Sequence, residues 1–107
     1  MAYGWIIDKD NATEGLDLPS RVGWMGPRNI PRHIEAQLQA GAGRGFRMYC
    51  EGEQEPCYEG RFLADPNDKR VTELEPLDDL GTPDSGCTEI AYRRDNGQWE
   101  RINEVNR

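Results

Sequence analysis

Two aromatic-rich runs, Arg44-Gly45-Phe46-Arg47-Met48-Tyr49-Cys50 and Cys57-Tyr58-Glu59-Gly60-Arg61-Phe62-Leu63, flank a polar turn that carries Gly52 and Pro56. This is a β-hairpin signal, and the chain is organised around it. Its register follows from the pairing that gathers apolar side chains on one face. Phe46 opposite Phe62, Met48 opposite Gly60 and Cys50 opposite Tyr58 does so, leaving Arg47, Tyr49, Glu59 and Arg61 on a wetter face. A slip of one residue sets Phe46 and Met48 against Arg61 and Glu59, a poor core.

Upstream, Tyr3 to Ile7 reads as a strand with Tyr3, Trp5 and Ile7 on one face. Residues 10–29 form a long irregular connection with Gly15, Pro19, Gly23, Gly26 and Pro27; loops of that length in compact domains are often functional, or else contain an element that the pattern does not reveal. Asn29-Ile30-Pro31 opens a helix of about three turns, with Asn29 as cap and Pro31 in the first turn. Ile30, Ile34 and Leu38 supply its apolar stripe, and Gly41 or Gly43 stops it. Residues 65–86 are rich in turn formers, with Val71, Leu74, Leu77 and Leu80 pinning short turns to the core. A second hairpin spans Thr88 to Ile102 around Asp95-Asn96-Gly97. The motif fits either a two-residue Asn-Gly loop or a three-residue loop with Gly97 left-handed; the second sets Ile90 opposite Ile102 and is preferred. The simplest packing is an α+β fold in a single domain, 1–107: a mostly antiparallel sheet from an N-terminal strand and two hairpins, with one short helix on a face.

The phrases Phe46-Arg47-Met48-Tyr49, Tyr58-Glu59-Gly60, Glu75-Pro76-Leu77-Asp78-Asp79-Leu80-Gly81-Thr82-Pro83 and Gly86-Cys87-Thr88-Glu89-Ile90 resemble a group of small acidic bacterial and phage-borne proteins. The resemblance covers most of the chain. It implies no activity, because that group has no established chemistry, and it tilts the reading toward mobile-element biology.

Composition narrows the function classes. A net charge of −7 over 107 residues argues against direct nucleic-acid binding, which needs a basic surface, and favours a basic protein surface as partner. No apolar run approaches the roughly 20 residues of a membrane span. Met1-Ala2-Tyr3-Gly4-Trp5 carries no basic or cleavable apolar leader, so a cytoplasmic protein with reduced thiols is expected.

The candidate sites are few. Cys50, Cys57 and Cys87 with His33 have the residue types of a zinc site. The expected register, however, points Cys50 and Cys57 to opposite faces, which excludes a shared ion and disfavours a disulfide. No metal and no cofactor are therefore expected. His33, the only histidine, lies on the helix flank away from any acidic or nucleophilic cluster, so no catalytic residue is assigned. Gly41-Ala42-Gly43-Arg44-Gly45 follows a helix and precedes a strand, the wrong order for a phosphate loop. Asp65, Asp68, Glu73, Glu75, Asp78, Asp79 and Asp84 crowd one segment without the spacing of a calcium loop. Of these, Asp65, Asp68, Glu75, Asp78, Asp79 and Asp84, with Trp24 as exposed anchor, are the candidate partner-binding residues. The leading expectation is a non-catalytic acidic interaction module, an inhibitor or anti-defence factor acting on a basic protein surface. The alternative is a binding domain whose Trp24, Arg47 and Arg61 grip an anionic small molecule; the third is a minimal enzyme using His33 or a cysteine.

Overall fold

The computed structural model describes residues 2–13, 15 and 17–103. In chain order its elements are β1 (Tyr3–Asp10), β2 (Met25–Gly26), α1 (Arg32–Gln39), β3 (Arg44–Cys50) and β4 (Tyr58–Ala64). A π-helical turn (Leu77–Gly81) then runs into α2 (Thr82–Ser85), followed by β5 (Cys87–Arg93) and β6 (Trp99–Asn103). The strands form one six-stranded sheet in the order β2-β1-β4-β3-β5-β6, with every neighbouring pair antiparallel.

Alternation in β1 buries Tyr3, Trp5 and Ile7 on one face, as their spacing requires. The strand runs past its expected end to Asp10 through a bulge between Ile7 and Lys9. On the same face lie Phe46 and Met48 of β3, Tyr58 and Phe62 of β4, and Ile90 and Tyr92 of β5. Together with Leu74, Leu77 and Leu80 they make the main core.

The central hairpin forms with a different register from the expected one. Phe46 pairs with Gly60 and Met48 with Tyr58, a shift of two residues. Strand side chains repeat with period two, so this shift keeps each residue on its face and the apolar pattern fits both registers equally. Packing decides between them: the Phe46 ring occupies the room that Gly60 leaves, and a Cβ there would lie 2.8 Å from the ring's Cζ. Tyr49, expected on a wet face, is buried beneath Arg101, whose guanidinium carbon sits 4.2 Å from the ring centroid.

The second hairpin matches its expected register, with Ile90 opposite Ile102. Arg94 N–H bonds to Gln98 O at 2.8 Å, and Gly97 has φ +83°, which closes the three-residue loop.

Helix α1 covers the other face of the sheet against β1 and β4. Its buried residues are Ile34 and Leu38, and it sits where Gly4 leaves space under Ile30 and Ile34. Asn29 is not the cap. Pro31 is extended at ψ 140° and holds the N-cap position without a side-chain hydrogen bond. Gly41 ends the helix at φ +100°, with Gly41 N–H on Leu38 O and Ala42 N–H on Gln37 O. Those paired bonds are a Schellman stop.

The segment expected to be only turns carries the π-helical turn and α2. Pro83 sits in the first turn of α2, where a missing N–H is harmless, and Gly86 ends it in the left-handed conformation. Donors from the sheet fasten this segment. Tyr3 Oη and Trp5 Nε1 both donate to Asp79 Oδ2, at 2.7 and 3.0 Å. Tyr92 Oη donates to Glu73 O at 2.6 Å, and Tyr58 Oη to Asp84 Oδ2 at 3.0 Å.

Candidate functional site

At one end of the sheet, where β3 and β6 begin and β4 and β5 finish, four arginines surround an open groove of about 870 Å³. Antiparallel pairing brings them together, since Arg44 faces Phe62 across the ladder and Arg93 faces Trp99. Arg44, Arg61, Arg93 and Arg94 line it against only two carboxylates, Glu73 and Asp95, while Phe62, Leu63, Val71 and Trp99 supply apolar wall. In a chain of net charge −7 this is a local reversal of sign.

The four cations are not equivalent. Arg61 is a strut: Nε and Nη2 hold Asp8 at 2.9 and 3.0 Å, and Nη1 donates to Leu38 O and Ala42 O. It thereby ties the carbonyls at and just beyond the end of α1 to β4. Arg94 is fixed by Glu73 at 2.7 Å and Glu100 at 2.6 Å. Arg44 reaches Arg93 O at 2.8 Å and Asp95 at 3.2 Å, but the Asp95 side chain is 96% exposed, so that pair is screened by water. Arg93 is exposed and makes no ion pair among the described residues. Arg44 and Arg93 are therefore the groove cations open to a ligand, with half-exposed Trp99 beside them.

The expected trio Trp24, Arg47 and Arg61 is not gathered around this groove. Arg61 lines it in its structural role. Arg47 pairs with its cross-strand neighbour Glu59 at 3.1 Å and stacks 4.0 Å over Trp99. Trp24 lies by the β2 edge strand, bonded to β1 through Ile7 N–H, with Arg21 5.0 Å over its ring. It is 47% exposed, near in sequence to exposed Leu18 and Val22.

Several of the acidic residues have internal partners. Asp65 accepts the Asn67 backbone N–H, and Asp68 accepts Ala2 N–H and pairs with Arg70. Those contacts, the Arg70 side chain first, hold the Asp68 carboxyl down to about 2. Asp79 anchors Tyr3 and Trp5; Asp84 binds Arg21 at 2.8 Å and Tyr58. Glu75 and Asp78 also have interactions within the protein. One structural carboxylate escaped the sequence reading. Asp10 is buried and accepts Arg21 N–H at 2.7 Å, Thr13 Oγ1 at 2.8 Å and Thr13 N–H at 3.0 Å, organising the long loop.

The cysteines require a correction. Cys50 and Cys57 do not point apart: their Sγ atoms are 2.9 Å from each other, and Cys87 Sγ is 3.9 Å from Cys50. Cys57 lies just outside the Met48–Tyr58 end of the ladder, where strand alternation no longer sets its direction. His33 is exposed on α1, across the sheet from them, so the histidine–cysteine pairing of a minimal enzyme is not assembled.

No family model, no curated protein and no solved structure matches this chain. No helix among the described residues is long and apolar enough to cross a membrane.

Proposed function

We propose that this protein is a non-catalytic binding module that holds a small anionic ligand, bearing a carboxylate or phosphate on an apolar or planar body. The observation that carries the reading is the arginine-lined groove in an otherwise acidic chain. Arg44 and Arg93 grip the anion, since a guanidinium presents donors in the fork that carboxylate and phosphate oxygens accept. Trp99 and the Leu63–Val71 wall receive the body, while Arg61 and Arg94 hold the groove's shape. This keeps the anionic-ligand alternative and exchanges Trp24 and Arg47 for Arg44, Arg93 and Trp99.

Docking of a basic protein through the acidic segment has less support, because Asp68, Asp79 and Asp84 serve the fold. A protein-interaction role rests better on exposed Trp24 with Leu18 and Val22.

The test is thermal denaturation and calorimetry of the parent, Arg44→Ala and Arg93→Ala with pyrophosphate, benzoate and nucleoside monophosphates. One or more of these should raise the parent's Tm and bind with salt-sensitive affinity, and each substitution should weaken binding about tenfold, as expected for loss of a charge-assisted contact. Equal affinity in all three proteins, or no stabilisation by any of these anions, overturns the assignment.

A further inference from the structure

The three cysteines come from separate parts of the chain, and local irregularities aim them at one point. Cys50 ends β3, Cys57 precedes β4 and Cys87 opens β5. Along a regular β5, Cys87 and Ile90 would face opposite sides, three residues apart. A register shift between Tyr49 and Cys50 places Cys87 opposite Cys50, and both Cys87 and Ile90 are buried in the main core. Bulges re-aim side chains in this way, often beside sites. All three Sγ atoms lie within 4.8 Å of one another, with Cys87 buried and the other two half-buried.

We propose that Cys50, Cys57 and Cys87 form a binding site for a thiophilic d10 cation, Zn2+ in the first instance, with a fourth position left to solvent or a small ligand. Zinc–sulfur bonds of about 2.3 Å put sulfurs about 3.8–4.0 Å apart in tetrahedral or trigonal geometry. The Cys50–Cys87 separation of 3.9 Å already fits. The Cys50–Cys57 separation of 2.9 Å must open by about 1 Å, a side-chain adjustment at the half-exposed Cys57. Thiolates select soft and borderline cations over Mg2+ and Ca2+. Binding replaces three S–H protons by one metal ion, releases those protons to solvent and needs no oxidant. Burial first, then the neighbouring Cys50, pushes the Cys57 thiol up to about 11.

The experiment uses the full chain, reduced and stripped with chelator under anaerobic conditions, and titrated with Cd2+. Thiolate-to-metal charge-transfer absorption should saturate at one Cd2+ per chain, and Zn2+ should displace it. Cys57→Ser and Cys50→Ser should each weaken binding by roughly a hundredfold. Cys57 and Cys50 carry the test because Cys87→Ser alters a fully buried position; circular dichroism verifies that the variants used are folded. Absence of a saturating band at one equivalent, or parental affinity in folded Cys57→Ser, overturns the site. So does loss of two thiols to a Cys50–Cys57 disulfide in air despite excess Zn2+, which would mark a redox pair instead.

Discussion

Asp79→Ala separates a carboxylate that builds the fold from one that awaits a partner. Asp79 Oδ2 accepts two hydrogen bonds, from Tyr3 Oη and Trp5 Nε1, and both donor residues are 95% or more buried, at 5% and 4% exposure. A hydrogen bond to a charged acceptor is worth about 1.5–3 kcal/mol, and an orphaned buried donor costs about as much. Asp79 itself is exposed, so water replaces part of what is lost. The net loss should be about 2 kcal/mol, against about 0.5 kcal/mol for an ordinary surface change. For a chain of this size that lowers Tm by about 10 °C. Asp79→Asn keeps an oxygen that can accept both bonds and should lose about half as much. Urea denaturation followed by tryptophan fluorescence measures both. An Asp79→Ala midpoint matching the parent's would refute the anchoring role and return the carboxylate to solvent as a docking group.

Gly60→Ala should destabilise by about 2 kcal/mol or more, because its Cβ would meet the Phe46 ring and the β1 backbone, and calorimetric Tm checks it. Gly97→Ala meets nothing within 4 Å but forces alanine to φ +83°, so its cost should stay near 1 kcal/mol in the same assay. Burial of Asp10 favours its protonated form, but the Arg21 backbone N–H and then Thr13 outweigh it and depress the pKa below the ordinary carboxylate value. Its stabilisation is therefore complete above about pH 3.9 and lost as pH falls through the lower folded value. Asp10→Asn should flatten the acid side of a Tm-versus-pH curve there.

Much of the sheet was legible because local chemistry over-determined it. Tyr3, Trp5 and Ile7 alternate, and of the two loops that Asn96-Gly97 permits, the three-residue one is selected by setting Ile90 opposite Ile102. The central hairpin lacked such a clamp. A pattern of period two cannot distinguish registers two residues apart, and the deciding contact, Phe46 on Gly60, is a matter of volume rather than polarity. Pro76, Pro83 and the surrounding acids disguised a helical stretch held mainly by tertiary bonds from Tyr3, Trp5 and Tyr58.

The sites were harder to read for the same reason. Convergence of Cys50, Cys57 and Cys87 depends on a ladder end and a bulge, neither of which has a sequence signature here. The groove draws Arg44, Arg61, Arg93 and Arg94 from three strands and the loop after β5. The one local signal was the Arg93-Arg94 pair at a strand end in an acidic chain. Arg47 and Arg61 share a face, but Glu59 and Asp8 had already neutralised them.

The most direct measurement is an amide and indole chemical-shift titration of the isotopically labelled protein with pyrophosphate at low salt. Binding in the groove should move Arg44, Gly45, Arg93, Asp95 and the Trp99 indole together, saturating with one dissociation constant, and Arg93→Ala should abolish most of the response. Shifts centred on Trp24 or on residues 77–86, or a response unchanged in Arg93→Ala, would contradict it.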